Sequence, residues 1–260
     1  MPYETIKVTE PQPGITVITF ARPDVANALS SQMARDLLDI WSKLRGDAAL
    51  RCVILAGEGK HFQAGADLKE RNGMTDEAWA EQHRLFEAMV RAQLACPVPI
   101  IAAVQGAAMG GGCEMSLACD FTYAAEGARF GLPEAGLGIM PGLGGTQLLT
   151  RAVGPRRAIE IMTTAAPFSA EKALEWGLVS AVVPAEGLMD TVLAVAAQIA
   201  SRAPLSVRGL KRVVHGGQDL DLKRAMDLEL TIYNSLFTTE DRREGVASFN
   251  EKRTPSFQGK

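Results

Sequence analysis

Three short apolar runs, "GITVITF" (14–20), "RCVILAG" (51–57) and "PVPIIAAV" (97–104), are bounded by Gly or Pro and separated by stretches with helical spacing. That alternation is what most limits the fold. Runs of this length, rich in β-branched residues, read as strands. Between the first two, "LSSQMARDLLDIWSKLRGD" places Met33, Leu37, Trp41 and Leu44 on one helical face, with Ser30 or Ser31 available as N-cap. Strand alternating with helix predicts an α/β architecture.

The pattern changes near residue 200. From Ala203 onward no strand signal recurs, only helical ones: "LSVRGLKRVVHGG", then Leu222, Ala225, Leu228, Ile232 and Leu236, then "TEDRREGVASFNEKR". The last has acids in its first turn and bases in its last, as a helix dipole favours, with Pro255 to end it. Residues 1–200 are therefore expected to form the core and 201–260 a helical C-terminal domain. Its apolar stripes are too wide for so small a lobe to bury, so they should face the core or a second subunit.

Charge excludes some classes. The net charge of −3 and the absence of any long basic run give no nucleic-acid or membrane footprint. No apolar run approaches the roughly 18 to 20 residues of a membrane helix, and the N-terminus shows no basic-then-apolar leader, so a cytoplasmic location is expected. Cys52, Cys96, Cys113 and Cys119 lie in apolar segments without CxxC spacing and read as reduced core residues. His61, His83 and His215 have no metal-ligand spacing and read as non-catalytic, with no metal expected.

Three segments carry chemistry. In "AVQGAAMGGGCEMSLACDF", three glycines run into Glu114 and a buried helix. Such a turn exposes backbone N–H groups at the positive end of a helix, and Glu114 either complements that dipole or reacts. "GKHFQAGADLKE" sets Ala64, Gly65 and Ala66 before a helix that Asp67 can cap, and is either an ordinary helix start or a second run of exposed amides. "ARFGLPEAGLGIMPGLGGTQLLTR" holds Glu134 between Pro133 and a glycine-rich loop, as a solvated loop acid or as a partner for Glu114.

These segments, with "A..WGLVSAVVP" (173–184) and the C-terminal "TEDRREGVASFNEKR", stand in the order and spacing of the enoyl-CoA hydratase branch of the crotonase superfamily, which the chain resembles over nearly its whole length. The resemblance implies a spiral of ββα units and a helical domain that builds homotrimers or dimers of trimers. It also implies an acyl-CoA thioester substrate, and no separate cofactor because CoA is part of that substrate. By resemblance, the N–H groups of Ala66 and Gly111 form an oxyanion hole, Glu114 acts on water and Glu134 protonates the α carbon, with Gly142 helping to hold the water. Ala28 and Leu29 with Ala64, Asp67 and Leu68 would line the CoA site. Arg22, and Phe249 and Lys252 from the last helix of a neighbouring subunit, would cover it.

The chain departs from the family pattern at Leu148, where Arg is usual, and at Gln105, where Asn is usual; a supporting polar contact is expected to be lost. The implied activity is hydration of a trans-2-enoyl-CoA in fatty-acid or aromatic-acid catabolism. An isomerase, a carnitinyl-CoA-type hydratase and a non-catalytic binding protein are the alternatives. Gly111→Ala is expected to cost more activity than Gly110→Ala.

Overall fold

Each of the three apolar runs is a strand, and together they form the middle of a six-stranded sheet in the computed structural model, which describes residues 3–260. The strands are β1 (Ile6–Gln12), β2 (Ile15–Phe20), β3 (Cys52–Gly57), β4 (Ile100–Val104), β5 (Ala107–Met109), β6 (Phe121–Ala125), β7 (Arg129–Gly131), β8 (Phe168–Ser169) and β9 (Ala181–Val183). The large sheet runs β1-β2-β3-β4-β6-β9 and is parallel except for the β1-β2 pair. A small sheet, β5-β7-β8, stands beside it.

The helices are α1 (Ser31–Arg45), α2 (Leu68–Arg71), α3 (Asp76–Leu94), α4 (Gly111–Leu117), α5 (Gly145–Val153), α6 (Pro155–Thr164), α7 (Ala170–Glu175), α8 (Leu188–Ala200), α9 (Pro204–Gly217), α10 (Leu222–Ser235) and α11 (Glu240–Glu251). Of the two candidate caps for α1, Ser30 is the one used, accepting from the Met33 amide at 3.2 Å.

Both faces of the large sheet are covered, which is why its central strands read as unbroken apolar runs. Val53 and Leu55 of β3 join the core under α1 and α3, while Cys52, Ile54 and Ala56 face α8 through Leu188, Val192 and Ala196. Burying a side chain of this size is worth about 1.5–3 kcal/mol, so this two-sided core anchors the chain. Two successive turns of the chain then each place one strand in the large sheet, one in the small sheet, and a helix. The succession β4, β5, α4 is followed by β6, β7, α5.

That repetition positions the site. Segment 63–66 is held between two parallel bridges, Gln63 to Ala108 and Ala66 to Leu29, so the "FQAGAD" segment lies against the glycine-rich turn.

Beyond residue 203 the chain is helical. Polar contacts pin α9 to the core: Lys211 Nζ donates to Asp120 Oδ2 at 2.7 Å and to the Val98 carbonyl at 2.9 Å, and His215 Nε2 lies 2.6 Å from Asp120 Oδ1. No residue of α10 is buried; Leu222, Met226, Leu230 and Tyr233 lie open. The dipole expectation for α11 holds only at its start. Glu240 and Asp241 occupy the first turn, but its last turn holds no base: Lys252 is the left-handed C-cap (φ 56°) and Arg253 lies beyond it, bonded back to Glu244 and Glu251. The helix therefore ends before Pro255 acts.

Candidate active site

The turn between β5 and α4 is built around Gly110, with φ 51° and ψ −124°. L side chains rarely adopt such a φ, and a Cβ here would stand 3.0 Å from Glu134 Oε1. Gly111 differs: its φ is not positive, and an added Cβ would meet nothing closer than Leu143 Cδ1 at 3.5 Å. Of the two glycines, it is therefore Gly110 whose backbone requires the absence of a side chain.

Glu114 is 2% exposed, in the first turn of α4. Its Oε1 accepts two backbone bonds, from Leu143 at 2.7 Å and Gly145 at 2.8 Å. Gly145 is the first residue of α5, so the carboxylate closes the N-terminus of a helix some thirty residues away rather than complementing its own. The approach is close enough that a Cβ on Gly145 would sit 2.8 Å from that oxygen. Burial pushes the Glu114 carboxyl up to about 7; the Gly145 and Leu143 amides oppose the shift, and the charge of Glu134 adds to it.

Glu134 starts a single 3₁₀ turn, Glu134–Leu137, immediately after Pro133. It is 8% exposed, and its Oε2 has no hydrogen-bond partner among the described residues. Burial raises its pKa too. A solvated loop acid is ruled out by this environment.

Both acids line one cavity of about 560 Å³. Ala66 and Gly111 line it as well. The bridge to Leu29 uses the Gly65 carbonyl and the Asp67 amide (2.8 and 2.9 Å), which turns the Ala66 N–H the other way; among the described residues neither it nor the Gly111 N–H has a protein acceptor. The site therefore combines two buried, proton-holding carboxyls with two unpartnered backbone donors. That combination suits proton transfer at a carbon next to a carbonyl whose oxygen gains negative charge.

Of the other positions picked from sequence, Leu29, Ala64, Leu68 and Gly142 line the same cavity. Arg22 and Asp67 brace its rim. Arg22 Nη2 bonds Asp67 Oδ2 at 2.9 Å and Nη1 donates to the Ala28 carbonyl at 2.5 Å, while Asp67 also caps α2. Burial of Asp67 is outweighed by its bond to Arg22, which holds the carboxyl below its usual range. Phe249 and Lys252 do not reach the cavity of their own chain; Phe249 is 83% exposed.

Gln105 retains a polar contact where one was expected to be lost, donating to the Gly57 carbonyl at 2.5 Å. Leu148 packs against the edge of the core. Among the described residues no cluster of three or more metal-ligating side chains occurs.

Arg71 and the α3 residues Trp79, His83 and Phe86 complete the wall; they belong to the segment 71–90, whose sequence pointed to pocket shape but to no individual lining residue. The spacing 79, 83, 86 is one helical face, a signal that identifies the lining stripe once the helix start at Thr75 is recognised. His83 sits so close to the loop that a Cβ on Gly142 would lie 2.7 Å from its ring.

Residues 10–260 match the enoyl-CoA hydratase/isomerase family. The crotonyl-CoA hydratase of Syntrophomonas wolfei is 39% identical over 261 residues, spanning 100% of both chains. The short-chain-enoyl-CoA hydratase of Clostridium acetobutylicum is 38% identical over 95% of each. The crystal structure of an enoyl-CoA hydratase from Bacillus anthracis superposes with a TM-score of 0.97 at 41% identity, covering 99% of this chain and 100% of that one.

Proposed function

The chain belongs to the enoyl-CoA hydratase/isomerase family, and from that premise we propose that it adds water reversibly across the 2,3 double bond of a trans-2-enoyl-CoA to give the 3-hydroxyacyl-CoA. The observation that carries this reading is the pair Glu114 and Glu134, buried on one cavity beside two backbone amides without protein acceptors.

With the thioester oxygen at the Ala66 and Gly111 N–H groups, negative charge developing there as an enolate is stabilised, and a donor of this kind typically contributes about a hundredfold to a thousandfold in rate. Glu114 takes a proton from water as the water oxygen bonds the β carbon. Glu134 gives a proton to the α carbon, and the double bond becomes single. The Leu143 and Gly145 amides hold Oε1 of Glu114, which leaves Oε2 for water, and the Gly142 amide also acts on this carboxyl. A carboxyl near 7 is well matched to accepting and returning a proton at neutral pH.

Ala28, Leu29, Ala64, Asp67 and Leu68 would wall the CoA moiety, behind the Arg22–Asp67 brace. Residues 201–260 would serve as an oligomerisation domain. The open apolar face of α10 is what a trimer would cover, and exposed Phe249 with Lys252 would then close over CoA in the neighbouring subunit. Hydration of crotonyl-CoA, followed by the fall in thioester-conjugated absorbance, tests the reading. Glu134→Gln is expected to lose about a hundredfold to ten-thousandfold in turnover while still binding the ester. Near-normal turnover in that variant would remove the two-carboxyl mechanism.

A further inference from the structure

The cavity wall also carries a charge that hydration does not use. Arg71 lines the cavity at the end of α2, its guanidinium 4.2 Å from the Trp79 ring centroid and 5.4 Å from that of Phe86. Its Nε donates to Gln82 Oε1 at 2.8 Å, and Gln82 is itself fixed by donating to Ser31 Oγ at 2.9 Å. The carboxylate next in sequence, Glu70, is turned away to accept from the Ser31 amide at 2.9 Å. Among the described residues no acid pairs with Arg71, and its terminal nitrogens have no protein acceptor. Burial lowers its pKa and the nearby charge of Glu70 only partly offsets this, so the guanidinium is held partly out of water.

A guanidinium stacked on one ring and fixed through Nε is immobilised with its fork of remaining N–H donors free, the arrangement that suits a carboxylate or phosphate. A neutral alkyl tail would give it nothing to bond and would bury it further. Resting on the hydratase reading above, we propose that Arg71 is a specificity-determining residue that receives an anionic group at the far end of the acyl chain, so that the preferred substrates are 2-enoyl-CoA esters ending in a carboxylate. The phosphates of CoA are the other source of an anion for this site, but they are common to every acyl-CoA and would make Arg71 indifferent to the acyl end.

The test compares matched pairs of five- and six-carbon esters: trans-2-pentenedioyl-CoA with trans-2-pentenoyl-CoA, and trans-2-hexenedioyl-CoA with trans-2-hexenoyl-CoA. The wild-type chain is expected to favour the carboxylated member of at least one pair by roughly tenfold or more in kcat/KM. Arg71→Met should lower kcat/KM for that ester by about tenfold to a hundredfold, mostly through KM, and raise it for the neutral partner, which no longer meets an unpaired charge. Arg71→Lys should keep part of the preference, as a point charge without the fork. Equal losses on both members of a pair would assign Arg71 to CoA phosphate or to packing and overturn the proposal. So would a wild-type chain that hydrates crotonyl-CoA but shows no preference in either pair. Failure on every ester, crotonyl-CoA included, would sink the hydratase reading and this assignment with it.

Discussion

Two carboxylates stand at either end of α4, Glu114 in its first turn and Asp120 three residues past its last, and the protein treats them oppositely. Burial disfavours charge at both. At Asp120 that cost is outweighed by His215 at 2.6 Å and Lys211 at 2.7 Å, and the carboxyl titrates below its usual range. At Glu114 only backbone amides, those of Gly145, Leu143 and Gly142, oppose burial, and the carboxyl rises to about 7. The comparison separates two uses of a buried acid: a fixed charge that fastens α9 to the sheet, and a proton carrier whose charge is left nearly balanced against its neutral form.

The largest expected effect breaks the comparison in function. Glu114→Gln should lower crotonyl-CoA hydration by about a hundredfold to ten-thousandfold with the fold intact, by steady-state rate beside circular dichroism. Asp120→Asn should instead leave folded molecules active but cost about 3–5 kcal/mol in urea unfolding, because it strands Lys211, whose side chain is only 10% exposed, beside a neutral group. A loss of turnover in Asp120→Asn at full folded fraction would show that the two ends are not separate.

The next effect is in pH, and the two acids give opposite signs. Glu114 has a folded pKa above its ordinary 4.5, so the folded state holds a proton that the unfolded chain has lost. Stability from this group is complete below 4.5 and is lost as pH rises through about 7. Glu114→Gln should therefore be more stable than wild type at pH 8, by up to about 3 kcal/mol, with the difference vanishing below pH 4.5. Asp120 has a folded pKa below its ordinary 3.8, so its contribution is present above 3.8 and lost as pH falls through the folded value. Hydration should rise with pH through about 7 as Glu114 ionises; a flat kcat/KM profile from 6 to 8 would contradict its role as base.

The smallest effect sharpens the account of the turn that leads into α4. Gly110→Ala should cost about 1–3 kcal/mol of stability and displace Glu134, given its positive φ and the 3.0 Å approach to Oε1. Gly111→Ala should cost little stability, so any loss of turnover at equal folded fraction reports on its amide as a donor. Matching melting temperatures for the two variants would undo the distinction.

Much of the architecture was legible in the chain because it rests on local periodicity. β-branched runs between Gly and Pro marked β2, β3 and β4, a 3.6-residue period marked α1, and the loss of strand signal at Ala203 marked the helical end. The spiral of ββα units came through resemblance and is the fold observed. The candidate site was legible as residue types in order: glycines, then Glu114, then Glu134 beyond Pro133. Its wiring was not. Neither the capture of Glu114 by amides some thirty residues on, nor the bracing of Arg22 against Asp67, leaves any periodic trace.

By itself, then, the sequence determined which segments bury an apolar face and which carry acids and small residues, since propensity and periodicity act over a few neighbours. Only the tertiary structure decided that Gly110 and not Gly111 bears the strained φ, that Glu114 is raised while Asp120 is lowered, and that Arg71 stands unpaired on the cavity wall with Trp79 beneath it. The physical reason is that desolvation and charge pairing depend on what is within a few ångströms in space, and chain segments from 63 to 145 reach that distance only once the two sheets have wound past each other.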